Sequence, residues 1–395
     1  MSHLDHRARR ITVAAAATFV LLLGSNMPTP LYAVFAQQLD FGVFTLTAIY
    51  AAYFLALVPT LLGFGSLSDR FGRRPVVRAG LAVALVAALV FASADSLTAL
   101  FVARVLQGVA VGLLSGALSA TLVDASPRRG ATVSTVSILA GGALGPLVGG
   151  LLARAVPGSP GAAFWIVVAS SAVVLALTHT LPRERRPTAD RSTRRAALPT
   201  AVWWGAAIAG LGWATAGLSL GLLPTALGVT LPNTSTFTAT LLVTVMMGAS
   251  AVTQLTLGAT RLPLGTAGLV AVPLAAVTLT LGLALASLPV VAIGSVLSGV
   301  GLGCAFLGGM RIAAAAAAPP DRARALSIFF AVAYLATGVP TLAVGALSAV
   351  TGLLPAIVGF ACAVVVVAVC LGLRAPAAPP QQRNGTRTHP HRAHM

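Results

Sequence analysis

The sequence predicts an all-α integral membrane protein in which twelve transmembrane helices form two pseudo-symmetric six-helix bundles. Three observations lead there. Of the 395 residues, 57% are hydrophobic and only 8% charged, and the mean hydropathy is +0.94, far from the balance of a soluble globular chain. A helix needs about 20 apolar residues to cross a hydrocarbon layer of ~30 Å. Twelve stretches reach that length, at 11–35, 43–65, 75–95, 97–122, 131–154, 162–181, 201–226, 235–258, 264–286, 288–312, 323–348 and 352–374. The basic residues fall largely in alternate gaps between them, as the positive-inside rule requires of cytoplasmic loops.

Taken in order, the first stretch is too long for a signal peptide and lacks a small-residue cleavage site, so it reads as a retained helix. Pro28 and Pro30 interrupt it beside Asn26, and their missing N–H groups leave backbone carbonyls free. Those carbonyls either serve a cavity or mark a plain kink packed against protein. With the N-terminus in the cytoplasm, inside segments hold Arg7, Arg9, Arg10, the run from Arg70 to Arg78, Arg128, Arg129, the cluster from Arg183 to Arg195, Arg261, Arg322, Arg324 and the tail. Arg104 and Arg154 fall elsewhere. The reading is a multi-pass protein of the cell's inner membrane with both termini cytoplasmic. The net charge of +17 is parcelled out between apolar runs and not gathered on one face, which argues against a nucleic-acid partner. The partners expected are the lipid bilayer and a small-molecule substrate, with the chain a monomer.

The chain divides into a first six-helix bundle over 1–181, a charged cytoplasmic linker over 182–200, a second bundle over 201–374 and a Pro-rich tail over 375–395 that reads as disordered. A duplication supports the division. The run PRRGATVS, Pro127 to Ser134, recurs loosely as PDRARALS, Pro320 to Ser327, and each opens an apolar helix. Within those helices Pro146 and Pro340 occupy matching places, followed by Gly149 and Gly345. Two halves of one topology form a parallel repeat about an axis along the membrane normal, with a substrate site near the midplane between them.

Three motifs carry chemistry. In GSLSDRFGRR, Gly65 to Arg74, the glycines Gly65 and Gly72 permit a tight reversal, and Asp69 is the lone acid among Arg70, Arg73 and Arg74. Asp69 has the means to pair with Arg73 or to meet the positive end of the helix starting near Ala323. Positive-inside sorting accounts for the arginines and leaves Asp69 and Asp124 unexplained. In the fourth stretch Arg104 places a guanidinium within the membrane, where insertion costs ~3 kcal/mol, and Gln107 lies nearly one turn along on the same face. Either it holds a carboxylate, a water or an anionic substrate group, or it snorkels to the outer interface. In GGALGPLVGG, Gly141, Gly145, Gly149 and Gly150 put small residues along a helix that Pro146 bends, letting another backbone approach. Trp213 lies deep enough for a pocket wall or for lipid contact, while Trp165, Trp203 and Trp204 read as interface anchors.

On these residues the chain resembles the major facilitator superfamily, most closely its twelve-span drug:proton antiporters of the multidrug and sugar efflux type. Gly65, Leu67, Asp69, Arg70, Gly72, Arg73 and Arg74 match its signature between spans 2 and 3; Arg104, Gln107 and Gly108 look like its fourth-span motif. Gly141, Gly145, Pro146, Gly149 and Gly150 look like its fifth-span antiporter motif, with Thr132 where that motif opens on glycine. The resemblance implies the major facilitator fold and alternating access. It also implies a conformational latch at the span 2–3 turn, joined by Asp124, and a fifth span that seals the cavity. The expected function is export of small lipophilic or weakly polar compounds, with protons as the coupling ion that the resemblance implies.

One feature departs from that pattern. The eight acids, Asp5, Asp40, Asp69, Asp95, Asp124, Glu184, Asp190 and Asp321, all fall in loops or at helix ends, so no midplane carboxylate is available to carry a proton. The alternatives are an uncoupled or differently coupled facilitator of a neutral solute, and a transporter-like ligand sensor. An enzyme is not expected, because no His, Cys and acidic residues converge and His179 stands alone. Cys304, Cys362 and Cys370 read as small buried hydrophobes, and neither a metal nor a cofactor is called for.

Overall fold

An apolar run inside a membrane has no water to satisfy its backbone, so it closes its hydrogen bonds along itself as helix. The structure, a computed structural model, describes residues 3–64, 71–126, 129–156, 158–180, 197–318 and 321–374. Within them lie twelve helical spans long and apolar enough to cross a membrane: Arg7–Gln38, Val43–Phe64, Arg73–Ala92, Leu97–Ala125, Thr132–Ala155, Pro160–Leu177, Thr200–Thr230, Phe237–Leu257, Leu264–Ala284, Leu288–Ala316, Arg324–Thr351 and Leu353–Leu373. They are spans 1 to 12 below. The linker and tail expected from the sequence fall largely outside the described residues.

Sequence and structure differ at span ends. Span 3 takes in Arg73 and Arg74, which the sequence assigned to the preceding turn, because Gly72 at φ +83° ends the turn itself. Span 1 extends outward to Arg7 and Gln38, yet Asp40 stays beyond it, exposed in a turn at φ 49°. Cys304 is buried as expected, whereas Cys362 and Cys370 are exposed on the outside of span 12, where a thiol faces lipid as readily as an aliphatic group. Trp165 and Trp203 are exposed; Trp204 donates to the Leu371 carbonyl at 3.2 Å.

With twelve spans among the described residues, the start of span 1 and the end of span 12 lie at one face of the bundle. The halves meet towards the other, far face, where span 2 packs on span 11 and span 5 on span 8. Both contacts use the same device. Gly150 of span 5 sits against Thr240 of span 8, and a Cβ there would stand 2.6 Å from the threonine methyl. Gly345 of span 11 sits against Thr47 of span 2. Thr47 and Thr240 are fully buried, so a repeat of the chain meets its counterpart twice with glycine against threonine. Towards the chain-end face, spans 2 and 8 expose Leu62, Phe64, Val252 and Leu255.

Span 5 packs its remaining glycines on span 1. A Cβ on Gly141 would stand 2.6 Å from the Phe19 carbonyl oxygen, one on Gly145 2.7 Å from that of Leu23, and Gly149 abuts the Met27 carbonyl. Pro146 is buried between them. Gly145→Leu is therefore expected to force the two backbones apart and cost about 1–3 kcal/mol, as overpacking does. A detergent unfolding curve coincident with wild type would refute that packing.

Candidate functional site

Span 1 is two helices, His3–Asn26 and Pro28–Gln38, joined at Met27. Pro28 has no N–H to give the carbonyl four residues back, which is that of Gly24. Gln107 of span 4 takes the vacant place, donating from Nε2 to the Gly24 oxygen at 3.0 Å. One turn earlier, Arg104 donates from Nη1 to the Ser25 carbonyl at 3.0 Å and to Gln107 Oε1 at 2.8 Å. The carbonyl that Pro28 leaves free thus anchors Gln107, and Gln107 together with the neighbouring Ser25 carbonyl holds Arg104.

Three aromatic rings close around that guanidinium. Its Cζ lies 5.3 Å from the ring centre of Tyr32, 5.7 Å from Tyr50 and 5.2 Å from Tyr53, all within cation–π range. Arg104 is 1% exposed, so the side chain is caged inside the bundle and does not snorkel. No salt bridge reaches it among the described residues, and Arg104 Nε and the Tyr32 and Tyr50 hydroxyls have no hydrogen-bond partner there.

From the cage a series of rings leads into the other half. Phe54 stands 4.7 Å from Tyr53 and 6.3 Å from Tyr334 of span 11. Tyr334 is 6.3 Å from Trp213 of span 7 and 6.4 Å from Phe330, while Phe306 of span 10 meets Trp213 at 6.3 Å and Phe329 at 5.6 Å. Trp213 therefore packs among rings and not on lipid. Sequence reasoning missed the tyrosines. The signal was present, because the chain has only 4 Tyr and two of them stand one turn apart in Tyr50-Ala-Ala-Tyr53-Phe54.

Other expected residues are not brought here. Asn26 donates from Nδ2 to Leu22 of its own helix at 2.9 Å and rests against Gly145. Asp40 and Asp95 are exposed outside the spans, and Asp124 is exposed in the last turn of span 4. Pro340 lies within span 11, five residues before Gly345.

A family model described as Major Facilitator Superfamily matches residues 14–203. Over 110 residues the chain is 30% identical to Multidrug resistance protein D of Escherichia coli (strain K12), which covers 27% of this chain and 28% of that protein. The chain spans less than a third of the length of the curated relatives it matches. Among solved structures, the fold is similar to a bacterial homologue of the human lysosomal transporter Spinster in an inward-facing and occupied conformation. The TM-score is 0.76 and the identity 14%, over 94% of this chain and 97% of that one. It is also similar to the inward-open xylose transporter XylE from E. coli, with TM-score 0.74 and 14% identity over 94% and 97%. Residues 14–203 thus match the major facilitator superfamily, and the whole chain has the fold of these solved structures.

The twelve candidate spans make the chain a multi-pass membrane protein. Of its expected latch, Gly65, Asp69 and Arg70 lie outside the described residues. Arg73 forms an ion pair with Asp124 and reaches the Ala120 carbonyl at 3.4 Å, and Arg74 donates to the His179 carbonyl at 3.0 Å. These contacts tie the start of span 3 to the ends of spans 4 and 6, all within the first half. Arg7 adds a further tie, donating to the Ala125 carbonyl at 2.6 Å and to Ser126 Oγ at 3.2 Å at the C-terminal end of span 4, where a cation is favoured.

Proposed function

We propose that this chain is a secondary transporter that exports small lipophilic or weakly polar compounds across the inner membrane by alternating access. Both termini lie in the cytoplasm, so the far face, where the halves meet, is the outer one, and the conformation is closed to the outside. The observation that carries the reading is the ring-lined boundary between the halves, which joins Tyr53 and Phe54 of the first to Tyr334, Trp213 and Phe306 of the second. Apolar contact of that kind favours lipophilic ligands over sugars, which need many polar partners. The Arg73–Asp124 pair belongs to a latch at the cytoplasmic side, and the fifth-span glycines and Pro340 shape the seal.

Protons are the first choice of coupling ion, with Asp40 and Asp124 as the candidate carriers. A specific observation favours a second reading, a facilitator without proton exchange: the one charged side chain placed in the cage is a cation, and neither acid is buried. Liposomes holding a pH-sensitive dye decide between them, with rhodamine 6G, 2-naphthoate and xylose as probes. Probe-driven proton movement that is lost in Asp40→Asn or Asp124→Asn is the expected result for exchange. Flux with no pH change, or coupling that survives both substitutions, establishes the facilitator or removes these carriers. Binding without any flux would leave a ligand sensor.

A further inference from the structure

We propose that the caged guanidinium of Arg104 is an anion subsite, and that it takes the carboxylate of an amphiphilic organic acid whose apolar body lies on the rings between the halves. The inference rests on the transport reading and narrows its substrate class to lipophilic compounds bearing one negative charge.

The donors and acceptors around Arg104 do not balance. Both of its bonds run through Nη1. Its Nε and the hydroxyls of Tyr32 and Tyr50 are buried donors with no partner among the described residues. Burial without a partner is costly for each of them, and the positive charge meets two carbonyl oxygens and three ring faces but no anion among the described residues. A water offers two lone pairs and no charge. A carboxylate offers about four acceptor sites, matches the planar edge of a guanidinium and cancels its charge. An ammonium group would add a second cation to a site with no salt bridge. The chemistry of the site thus selects an anion.

The rings select the rest of the molecule. Trp213, Phe306, Phe330 and Tyr334 are half-buried, so each keeps apolar surface for contact. The cage is shut in this conformation, and the other half helps to hold it shut. Tyr50 lies under Gly221 of span 7, where a Cβ would stand 3.3 Å from its ring, and Phe54 lies against Gly338 of span 11. Movement between the halves therefore changes the cover over the guanidinium.

The test is equilibrium dialysis of the purified full chain in detergent, corrected with protein-free micelles, against 2-naphthoate, its methyl ester, 2-naphthylmethylammonium and acetate. Naphthoate is expected to bind about tenfold or more tightly than each of the others. Arg104→Gln is expected to erase the preference over the ester, and Tyr32→Phe and Tyr50→Phe to weaken naphthoate several-fold while leaving the ester unchanged. Equal binding of the ester or the ammonium compound, no saturable naphthoate binding, or a preference that persists in Arg104→Gln would overturn the proposal. Acetate binding as tightly as naphthoate would overturn the role of the rings. Where Arg104→Gln fails to fold, the tyrosine variants decide, since each removes one oxygen only. Naphthoate binding without flux keeps the subsite and ends the transport reading; rhodamine 6G flux without naphthoate binding does the reverse.

Discussion

Arg104→Ala is expected to reduce transport at least a hundredfold, far beyond what its loss of stability accounts for. Truncation leaves Gln107 Oε1 and the Ser25 carbonyl without their donor, at about 1–3 kcal/mol for each buried group. It also removes a membrane-buried charge that costs ~3 kcal/mol to place there. That relief offsets only part of the losses, to which the three ring contacts add about 0.5–2 kcal/mol each, so a lowered midpoint is expected alongside a disproportionate loss of flux. The check is paired, with flux in proteoliposomes of whichever probe the wild type moves and the thermal midpoint of the same preparation. Wild-type flux in Arg104→Ala would remove the cage from the transport pathway. A collapse of the midpoint with proportionate loss of flux would make it structural.

Gly345→Val should act at a distance from that cage, by holding the far face open. A branched side chain has no place against the buried Thr47, and overpacking of this kind costs about 1–3 kcal/mol. The strain is relieved when span 11 leaves span 2, so the penalty falls on the closed conformation and shifts the equilibrium by roughly ten- to a hundredfold. Spin labels at Phe44 of span 2 and Leu347 of span 11, both exposed, read the change in a background with Cys304, Cys362 and Cys370 replaced by serine. A new long-distance population is expected. A distance distribution identical to that of the parent would show that the glycine–threonine contact does not set the equilibrium.

The spans were legible because membrane burial writes itself into length and composition, and every expected stretch has its counterpart within a few residues. The Arg104 and Gln107 pairing was legible because both lie on one helix, where spacing dictates proximity. Contacts between helices were not. Nothing in the run around Pro28 says that Gln107 will take the carbonyl it frees, and Tyr32, Tyr50 and Tyr53 gather round one guanidinium only because spans 1, 2 and 4 pack together. The glycine in span 11 and the threonine in span 2 lie in opposite halves, so their meeting is a property of the closed conformation and not of either segment. At the proline break beside Asn26 the sequence leaves a cavity and a plain kink equally open, because it does not say that the Asn26 amide bonds the Leu22 carbonyl of its own helix.

All 4 tyrosines of the chain lie on the path from the cage to the second half, three around Arg104 and the fourth at position 334. Biosynthetic replacement of tyrosine by 3-fluorotyrosine would therefore place every fluorine nucleus in the molecule at this one locality. A fluorine NMR spectrum would contain no background from elsewhere in the chain. Each resonance would report directly on occupancy and on the movement of one half against the other, without an engineered probe.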